Sequence, residues 1–279
     1  MLRGNSMRID LHNHTFHSDG ILSEEELVKR AKLNHVDIFA LTDHDSVFGD
    51  DKIVEIGKKY GIKVIKGLEL STYYKGESVH IICLFKDNII PKAMLDFSIE
   101  IKEKRKNRAI LMMQKIHDIY GLNIDLEDLL KSSQVITRAN MLNNIAKCNH
   151  LSREEASQYI SSSSKAYIPS TKLSTEDGIK FAKEAGCVVI FAHPCLINHQ
   201  EYVEEILQFG FDGIEVRYPS VRNDEAKFMA LAKKWNLLIS AGSDCHRGAE
   251  PDGDHADIGT CTLDENEFEP IAKLLNLKI

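Results

Sequence analysis

The sequence predicts an α/β fold, a barrel of mostly parallel strands carrying an all-helical insertion. In the first and last thirds of the chain, short apolar runs rich in β-branched residues alternate with amphipathic helical stretches, which is typical of βα units. Between these two regions, only helical periodicity occurs. A chain of 279 residues with 43% hydrophobic residues can form one large domain with an insertion.

Residues 1–90 are predicted to form the first part of the barrel. Their strand-like runs are MRIDLH, VDIFALT, IKVIKGLELS and SVHIICLF, and the helical stretches between them are SEEELVKRAKLNH and DKIVEIGKKYG. Ser23 is placed to cap the first helix, and Glu26 stands at the capping-box position. Carboxylates in this first turn also stabilise the positive end of the helix dipole.

Residues 91–165 are predicted to be an all-helical insertion that caps the barrel. A long helical pattern begins at Pro91, and DLEDLLK, ANMLNNIAKC and SREEASQYI follow it without a strand-like run. The four serines at 161–164 are expected to form a hinge back into the barrel. Residues 166–279 then form its second part, because strand-like runs reappear in CVVIFAHP, DGIEVRYPS and LLISAGSDCH.

Composition excludes several classes of protein. No apolar run approaches the roughly 18 residues of a membrane helix, and the first ten residues lack the apolar stretch of a signal peptide, so a cytoplasmic protein is expected. The six cysteines show no CxxC spacing, which favours reduced thiols. The net charge of −7 argues against binding to duplex nucleic acid. A small phosphorylated substrate remains compatible, because bound cations would reverse the local field.

Potential metal ligands follow most of the predicted strands. They are His12 and His14 after RIDL, His44 after IFAL, Glu69 after VIKGL, His193 after VVIFA, and Asp244 and His246 after LLISAGS, while His80 lies within SVHIICL. The carboxyl ends of parallel barrel strands converge on one face, where such proteins build their sites. Imidazole and carboxylate ligands together suit Zn, Mn or Fe.

The spacing of His12 and His14 strengthens this prediction, because alternate residues of a strand point to the same side. The motifs TDHD and GSDCH at later strand ends make coincidence improbable. His17, in the loop beside Asp19, is expected to be peripheral. The other histidines are expected to be structural or exposed; they are His35, His117, His150, His199 and His255.

The motifs DLHNHTFHSDG, LTDHD, GLELS, AHP and GSDCH resemble, in order, those of the polymerase and histidinol phosphatase (PHP) family. The first motif, the helical insertion and the spacing of the late motifs are similar to its TrpH-like branch. Characterised members of that branch are nucleoside 3',5'-bisphosphate phosphatases and 5'-to-3' exonucleases of short RNA. The resemblance covers most of the chain outside the insertion, and it implies a distorted (β/α)7 TIM-like barrel with two or three metal ions.

The resemblance also implies roles for nine residues, all of which are present. His12, His14, Glu69 and Asp244 would hold a first ion. Glu69 would bridge to a second ion, held also by His80 and His193. Asp19, His44 and His246 match the positions that hold a third ion in the family. Asp43 could accept a hydrogen bond from a ligand imidazole, although a plain loop acid is equally expected.

Such a cluster suits phosphate ester hydrolysis. Two ions about 3.5–4 Å apart can deprotonate a shared water and stabilise the charge that develops on the phosphoryl group. The expected nucleophile is therefore a metal-bound hydroxide, since neither a GxSxG elbow nor a Walker loop occurs. Cys245 lies between two predicted ligands and is expected to be a filler rather than a nucleophile.

Substrate phosphates need cationic donors besides the metals. Arg138 is the first candidate, because relatives often carry Arg-Pro-His where this chain has Arg138, Ala139 and Asn140. The arginine is present in this chain, but asparagine replaces the histidine. Arg217, at a strand end, is the second candidate, and Arg247 is the third. The basic run at residues 102–108 could guide RNA, but a solvated helix face is favoured.

The sequence therefore predicts a metal-dependent phosphoric ester hydrolase containing Mn, Fe or Zn. Its expected substrate is a nucleotide phosphate monoester, such as a nucleoside 3',5'-bisphosphate, or the 5' end of short single-stranded RNA, without duplex or membrane partners. One alternative is a phosphatase of the histidinol-phosphate type, against which the insertion argues. An amidohydrolase using the same metals is another, and a non-enzymatic binding module is the least favoured.

Overall fold

Seven strands curl into a nearly closed barrel in the computed structural model, which describes residues 6–169, 172–250 and 253–278. The sheet order is β1-β2-β3-β4-β6-β7-β8, and the short β5 pairs with β3 outside this path. The strands are β1 (Ile9–Asp10), β2 (Ile38–Leu41), β3 (Lys63–Tyr74), β4 (Glu77–Leu84), β5 (Leu173–Ser174), β6 (Val188–Phe191), β7 (Gly213–Arg217) and β8 (Leu238–Ala241). The predicted barrel is thereby confirmed.

Backbone hydrogen bonds draw β8 and β1 together where the barrel closes. The Leu11 amide donates to the Ala241 carbonyl at 3.0 Å, and the Asp244 amide donates to the His12 carbonyl at 2.9 Å. Buried Asp10 reinforces the closure, because its carboxylate accepts the amides of Ser243 at 3.1 Å and Gly259 at 2.7 Å. The closure therefore lies directly beside the predicted ligands.

Ten α-helices accompany the strands in the described part of the chain. They are α1 (Glu24–Leu33), α2 (Asp50–Tyr60), α3 (Lys92–Tyr120), α4 (Leu126–Lys131), α5 (Arg138–Asn149), α6 (Arg153–Ile160), α7 (Thr175–Glu184), α8 (Tyr202–Leu207), α9 (Glu225–Trp235) and α10 (Glu265–Leu274). The predicted capping box of α1 is present between Ser23 and Glu26. None of the helices in the described ranges combines the length and apolarity needed to cross a membrane.

Strand β4 departs from the expected parallel arrangement, because it runs antiparallel to both β3 and β6. Its connection to β3 is a two-residue loop of Lys75 and Gly76, with φ of 46° and 87°. Two consecutive positive φ values match the tight hairpin turn that suits the twist of paired strands. A loop this short cannot make the crossover that parallel strands require, so the antiparallel direction follows.

Apolar side chains form separate clusters inside and outside the barrel. Ile9, Ile65, Ile82 and Ile190 belong to the cluster that fills the barrel interior. Two further clusters lie between the sheet and its surrounding helices. The helices α3–α6 share a fourth cluster, built from residues such as Met112. Residues 91–165, all of which are described, contain no strand and pack around their own core.

Polar contacts attach this helical segment to the barrel mouth. Arg105 of α3 donates to the carboxylate of Asp45 and, at 3.1 Å, to the hydroxyl of Ser71. The carbonyl of His17 accepts the Ser133 hydroxyl at 3.1 Å and the Val135 amide at 3.1 Å. The segment therefore contacts the same loops that follow β1 and β2.

Candidate metal centre

Four predicted ligands converge where β1, β3 and β8 approach one another. The ligand atoms of His12, His14, Glu69 and Asp244 lie within 4.8 Å of one another, and all four residues are buried. The Asp244 Oδ1 atom lies 2.9 Å from His14 Nε2 and 3.3 Å from His12 Nε2. These are the four residues that the resemblance assigns to a first ion.

Both oxygens of the Glu69 carboxylate lie close to histidine nitrogens. Its Oε2 atom lies 3.2 Å from His12 Nε2 and 3.0 Å from His44 Nδ1. Its Oε1 atom lies 2.9 Å from His80 Nδ1 and 2.9 Å from His193 Nε2. This position between two sets of imidazoles is the geometry expected of a bridging carboxylate. The resemblance assigns His44 to the third ion. In the structure, however, the ligand atoms of His44, Glu69 and His80 also lie within 4.8 Å of one another.

The antiparallel β4 explains why His80 reaches the centre although it lies within its strand and not after it. Because β4 runs opposite to its neighbours, its beginning lies at the face where the parallel strands end. His80 pairs with Ser71 across the β3–β4 ladder, two residues beyond Glu69.

A third group lies beside the first. The ligand atoms of His14, Asp19, His44 and His246 are within 4.8 Å of one another. Asp19 Oδ1 lies 3.2 Å from His246 Nε2, and Asp19 Oδ2 lies 3.8 Å from His44 Nε2. The three residues predicted for a third ion are thus brought together, with His14 shared between two groups.

The donor atoms of this cluster fit divalent cations. Six of them are buried side-chain atoms to which the described residues offer no hydrogen-bond partner: His12 Nε2, His14 Nε2, Asp19 Oδ1, His44 Nδ1, Glu69 Oε2 and Asp244 Oδ1. Buried polar atoms are nearly always satisfied, because an unsatisfied one costs about 1–3 kcal/mol. Nitrogen and carboxylate oxygen atoms pointing at common points are the ligand set that Zn, Mn and Fe accept.

The electrostatics keep the carboxylates in the ionised form that metals require. Burial alone would raise the pKa of Asp244, but the attraction of His12, His255 and His246 lowers this pKa well below its ordinary value. Burial likewise opposes the ionisation of Glu69, and attraction to His44, His12 and His80 prevails, so its pKa is also lowered.

Two buried residues of the β7 end, which the sequence analysis missed, position the ligands. Glu215 Oε1 lies 3.2 Å from His12 Nδ1, and Glu215 Oε2 accepts the amide of His193 at 2.6 Å. The Tyr218 hydroxyl donates to Asp244 Oδ2 at 2.8 Å. Partners of this kind fix the tautomer and orientation of a ligand. Glu215 lies within β7 and Tyr218 directly follows it, and neither residue carries a further signal in the sequence.

Two other residues lie differently from what the sequence suggested. Asp43 accepts hydrogen bonds from the hydroxyls of Thr15 at 2.5 Å and Ser18 at 2.6 Å, so it reaches an imidazole only through Ser18, which is 3.5 Å from His14 Nδ1. His255, expected to be structural or exposed, stacks on His246 with ring centroids 4.1 Å apart.

His17 pairs with an acid outside the centre: its Nε2 atom lies 2.9 Å from Glu24 Oε1.

In the loop GSDCH, Gly242 packs closely against His12, and Asp244 has an unusual backbone conformation. A Cβ atom at Gly242 would lie 2.2 Å from the Cβ of His12 and 2.6 Å from Glu215 Oε1, so no side chain fits there. Asp244 has a φ of 50°, a left-handed conformation unusual for a non-glycine residue. Cys245 is fully buried, and burial raises the pKa of its thiol to about 12, which disfavours a nucleophilic thiolate.

The predicted substrate residues lie in different surroundings. Arg138 begins α5 and is exposed. The side-chain oxygen of Asn140 accepts the Thr137 amide at 2.7 Å and so completes a helix cap. Arg217 is not brought to the centre: its guanidinium binds Glu267 through two nitrogens at 2.7 and 2.8 Å and Glu225 at 2.8 Å.

Two cations that the sequence analysis did not select do reach the mouth. Arg105 was assigned to a solvated helix face, but it contacts Asp45 and Ser71 instead. Lys172 Nζ donates to the Ser78 hydroxyl at 2.9 Å. Burial, together with repulsion from Arg105, lowers the pKa of Lys172 to about 8.

Comparison with known proteins gives consistent results. The sequence profile of the PHP domain matches residues 10–208. A 5'-3' exoribonuclease of Haemophilus influenzae is 30% identical over 250 residues, covering 86% of this chain and 90% of that protein. A 3',5'-nucleoside bisphosphate phosphatase of Chromobacterium violaceum is 29% identical over 252 residues, covering 87% and 88%.

Among solved structures, a metal-dependent phosphoesterase of Bifidobacterium adolescentis superposes with a TM-score of 0.81. The match covers 98% of both chains at 24% sequence identity. At this identity the likeness demonstrates a shared fold, including the helical segment between β4 and β5.

Proposed function

Since this phosphoesterase belongs to the PHP domain family, we propose that it hydrolyses a phosphate monoester of a nucleotide, such as a nucleoside 3',5'-bisphosphate, or acts at the 5' end of short RNA. The observation that carries the proposal is the set of six unpartnered donor atoms converging around Glu69. The names of the two sequence relatives support the substrate class.

The proposed metal ligands are the nine residues that the resemblance assigns, holding two or three Mn, Fe or Zn ions. When bound, such ions supply an activated water and stabilise the charge developing on the phosphoryl group. The protein contributes orientation: Glu215 holds His12, and Tyr218 holds Asp244. Burial of the cluster restricts bulk water and strengthens these interactions.

Cations at the mouth supply the contacts to phosphate oxygens. We assign Arg138 to a second substrate phosphate, because it is exposed and lies close enough to Arg108 and Lys172 for its charge to lower the pKa of both. A guanidinium can bind two phosphate oxygens at once. Asn140 is assigned to holding the start of α5, and Arg217 to linking β7 with α9 and α10.

Residues 91–165 form the proposed substrate cap, with residues 1–90 and 166–279 as the two parts of the barrel. The contacts of Arg105 and Ser133 with loops beside the metal ligands support this division. We also propose a cytoplasmic location, because six free cysteines suit a reducing compartment.

The test is an activity screen on protein stripped with EDTA and reloaded with Mn, Fe or Zn. Nucleoside 3',5'-bisphosphates and 5'-phosphorylated short RNA should be hydrolysed best, histidinol phosphate poorly, and amides and lactones not at all. Full activity in thoroughly stripped protein would contradict metal dependence. Preference for an amide or lactone would establish the amidohydrolase alternative instead.

A further inference from the structure

The β3–β4 hairpin continues beyond the metal centre and has two distinct faces. Leu68 and Leu70 belong to the cluster beneath the surrounding helices, and Tyr74 packs against that cluster. Because side chains alternate along a strand, Glu69 and Tyr73 point to the opposite face, towards the centre. Tyr73 therefore shares the face of the predicted bridging ligand.

The partner strand shows the same alternation. Val79 and Ile81 of β4 lie in the outer cluster, whereas His80 faces Glu69. Ser78 shares the face of His80, since its hydroxyl lies 3.1 Å from His80 Nε2. The ladder pairs Tyr73 with Ser78 directly.

Tyr73 is the outermost large side chain on this face and lacks a partner. Its side chain is 49% exposed, and within the described ranges it makes no hydrogen bond or ring contact. Its neighbour Tyr74 differs, because that hydroxyl donates to Glu205 at 2.6 Å and its ring packs against Tyr202. The exposed ring of Tyr73 is thus available to a ligand.

Two cations flank the space between Tyr73 and the metal centre. Lys172 contacts Ser78, which is opposite Tyr73, and Arg105 contacts Ser71, two residues before Tyr73. With a rise of about 3.3 Å per residue, the four steps from Glu69 to Tyr73 span roughly 13 Å. A phosphate at the centre would therefore lie beside cations, and a ring attached through a sugar would reach Tyr73.

We propose that Tyr73 stacks on the nucleobase of the nucleotide whose phosphate binds at the Glu69 cluster, which makes the site selective for nucleotides over phosphate esters without a base. This inference rests on the proposed phosphoesterase function and specifies how its substrate is recognised. An aromatic platform beside cations is the arrangement that binds single nucleotides with little sequence preference, since every base has a π face.

The kinetic test compares Tyr73→Ala and Tyr73→Phe on a nucleoside 5'-monophosphate and on ribose 5-phosphate. Tyr73→Ala should lower kcat/KM for the nucleotide by roughly five- to a hundred-fold, the range for one lost stack, and lower that for ribose 5-phosphate far less. Tyr73→Phe keeps the ring and should restore the nucleotide rate. Ile89→Ala, at an exposed apolar residue that follows β4 at the other end of the barrel, is the control.

A binding test separates this inference from catalysis. A 2-aminopurine riboside phosphonate cannot be hydrolysed, and its fluorescence should be quenched by wild type and Tyr73→Phe but much less by Tyr73→Ala. Equal losses on both kinetic substrates, or unchanged quenching in Tyr73→Ala, would overturn the stacking role while leaving the phosphoesterase function intact. A loss confined to a 5'-phosphorylated tetranucleotide would also overturn it, because the base stacked would then belong to a later nucleotide.

Discussion

Arg138 is the residue on which discrimination between one and two phosphates depends in the proposed function. Arg138→Ala should weaken transition-state binding of a nucleoside 3',5'-bisphosphate by about 1.5–3 kcal/mol, the range for hydrogen bonds to a charged group. That corresponds to roughly a ten- to hundred-fold loss in kcat/KM, with a much smaller loss on a monophosphate. Equal losses on the two substrates would place Arg138 at the reacting phosphate or in the fold.

Asp50 is a buried acid whose role is tested by pH rather than by activity. Both of its carboxylate oxygens are buried without a hydrogen-bond partner among the described residues. Burial first, and then repulsion from Asp43, raises the pKa of Asp50 well above its ordinary value. The folded state therefore favours the protonated acid, so this residue costs stability as pH rises above the unfolded pKa of about 4.

Asp50→Asn should remove that dependence. The stability gained by the variant over wild type should grow by about 1.4 kcal/mol per pH unit above pH 4, until the folded pKa is passed. Urea unfolding at pH 5, 6 and 7 measures it. Asp51→Asn, at an exposed neighbouring acid, is the control and should give a nearly constant difference. A constant difference for Asp50→Asn as well would contradict the raised pKa.

The residues that converge around Glu69 could be selected from the sequence, because strand ends can be recognised from local pattern. Their role as metal ligands stays a prediction. Glu215, Tyr218 and Arg105 could not be selected from the sequence, for two reasons. Glu215 and Tyr218 are identifiable only through the ligands they contact across the barrel. Arg105 lies in a basic run whose pattern is that of a solvated face, and only the docking of α3 places it against buried Asp45.

At the scale of elements, the docking of α3 depends on the contact between Arg105 and Asp45. Arg105→Met should destabilise the protein by about 1–3 kcal/mol, because it leaves a buried carboxylate with one partner fewer. Lys104→Met, which breaks an exposed pair with Glu100 on the same helix, should cost less than about 0.5 kcal/mol. Urea unfolding of the two variants measures the contrast, and similar values would show that the Arg105 contact contributes little.

The direction of β4 shows what the pattern of an element leaves open. An alternating apolar run specifies which residues share a face, but it specifies neither the neighbours of the strand nor its direction. The information was in the loop instead: Lys75 and Gly76 separate two strand-like runs by only two residues. Reading YYKGES as a hairpin would have predicted the antiparallel strand and the position of His80 together.

At the scale of the whole molecule, bound ions would link most strands of the barrel and so stabilise the fold. The proposed ligands follow or lie within β1, β2, β3, β4, β6 and β8. An ion at a thousand times its Kd stabilises the folded state by about 4 kcal/mol. Chelation should therefore lower the Tm by roughly 5–15 °C.

Calorimetry with elemental analysis before and after EDTA measures this difference. Glu69→Gln, which removes the negative charge offered to a bridge, should contain less metal, and its Tm should fall less on chelation. An unchanged Tm in wild-type protein from which the metal has demonstrably been removed would contradict the link between ion binding and barrel stability.

Asp244 and His12, whose backbones are hydrogen-bonded where the barrel closes, lie at opposite ends of the sequence. This separation determines when the site can form during synthesis. A ribosome synthesises His12, His14 and Asp19 long before it reaches Asp244 and His246. The emerging chain therefore carries seven of the nine proposed ligands while Asp244 and His246 are still untranslated. In the proposed function, a complete metal site therefore requires that the last strand has been released from the ribosome.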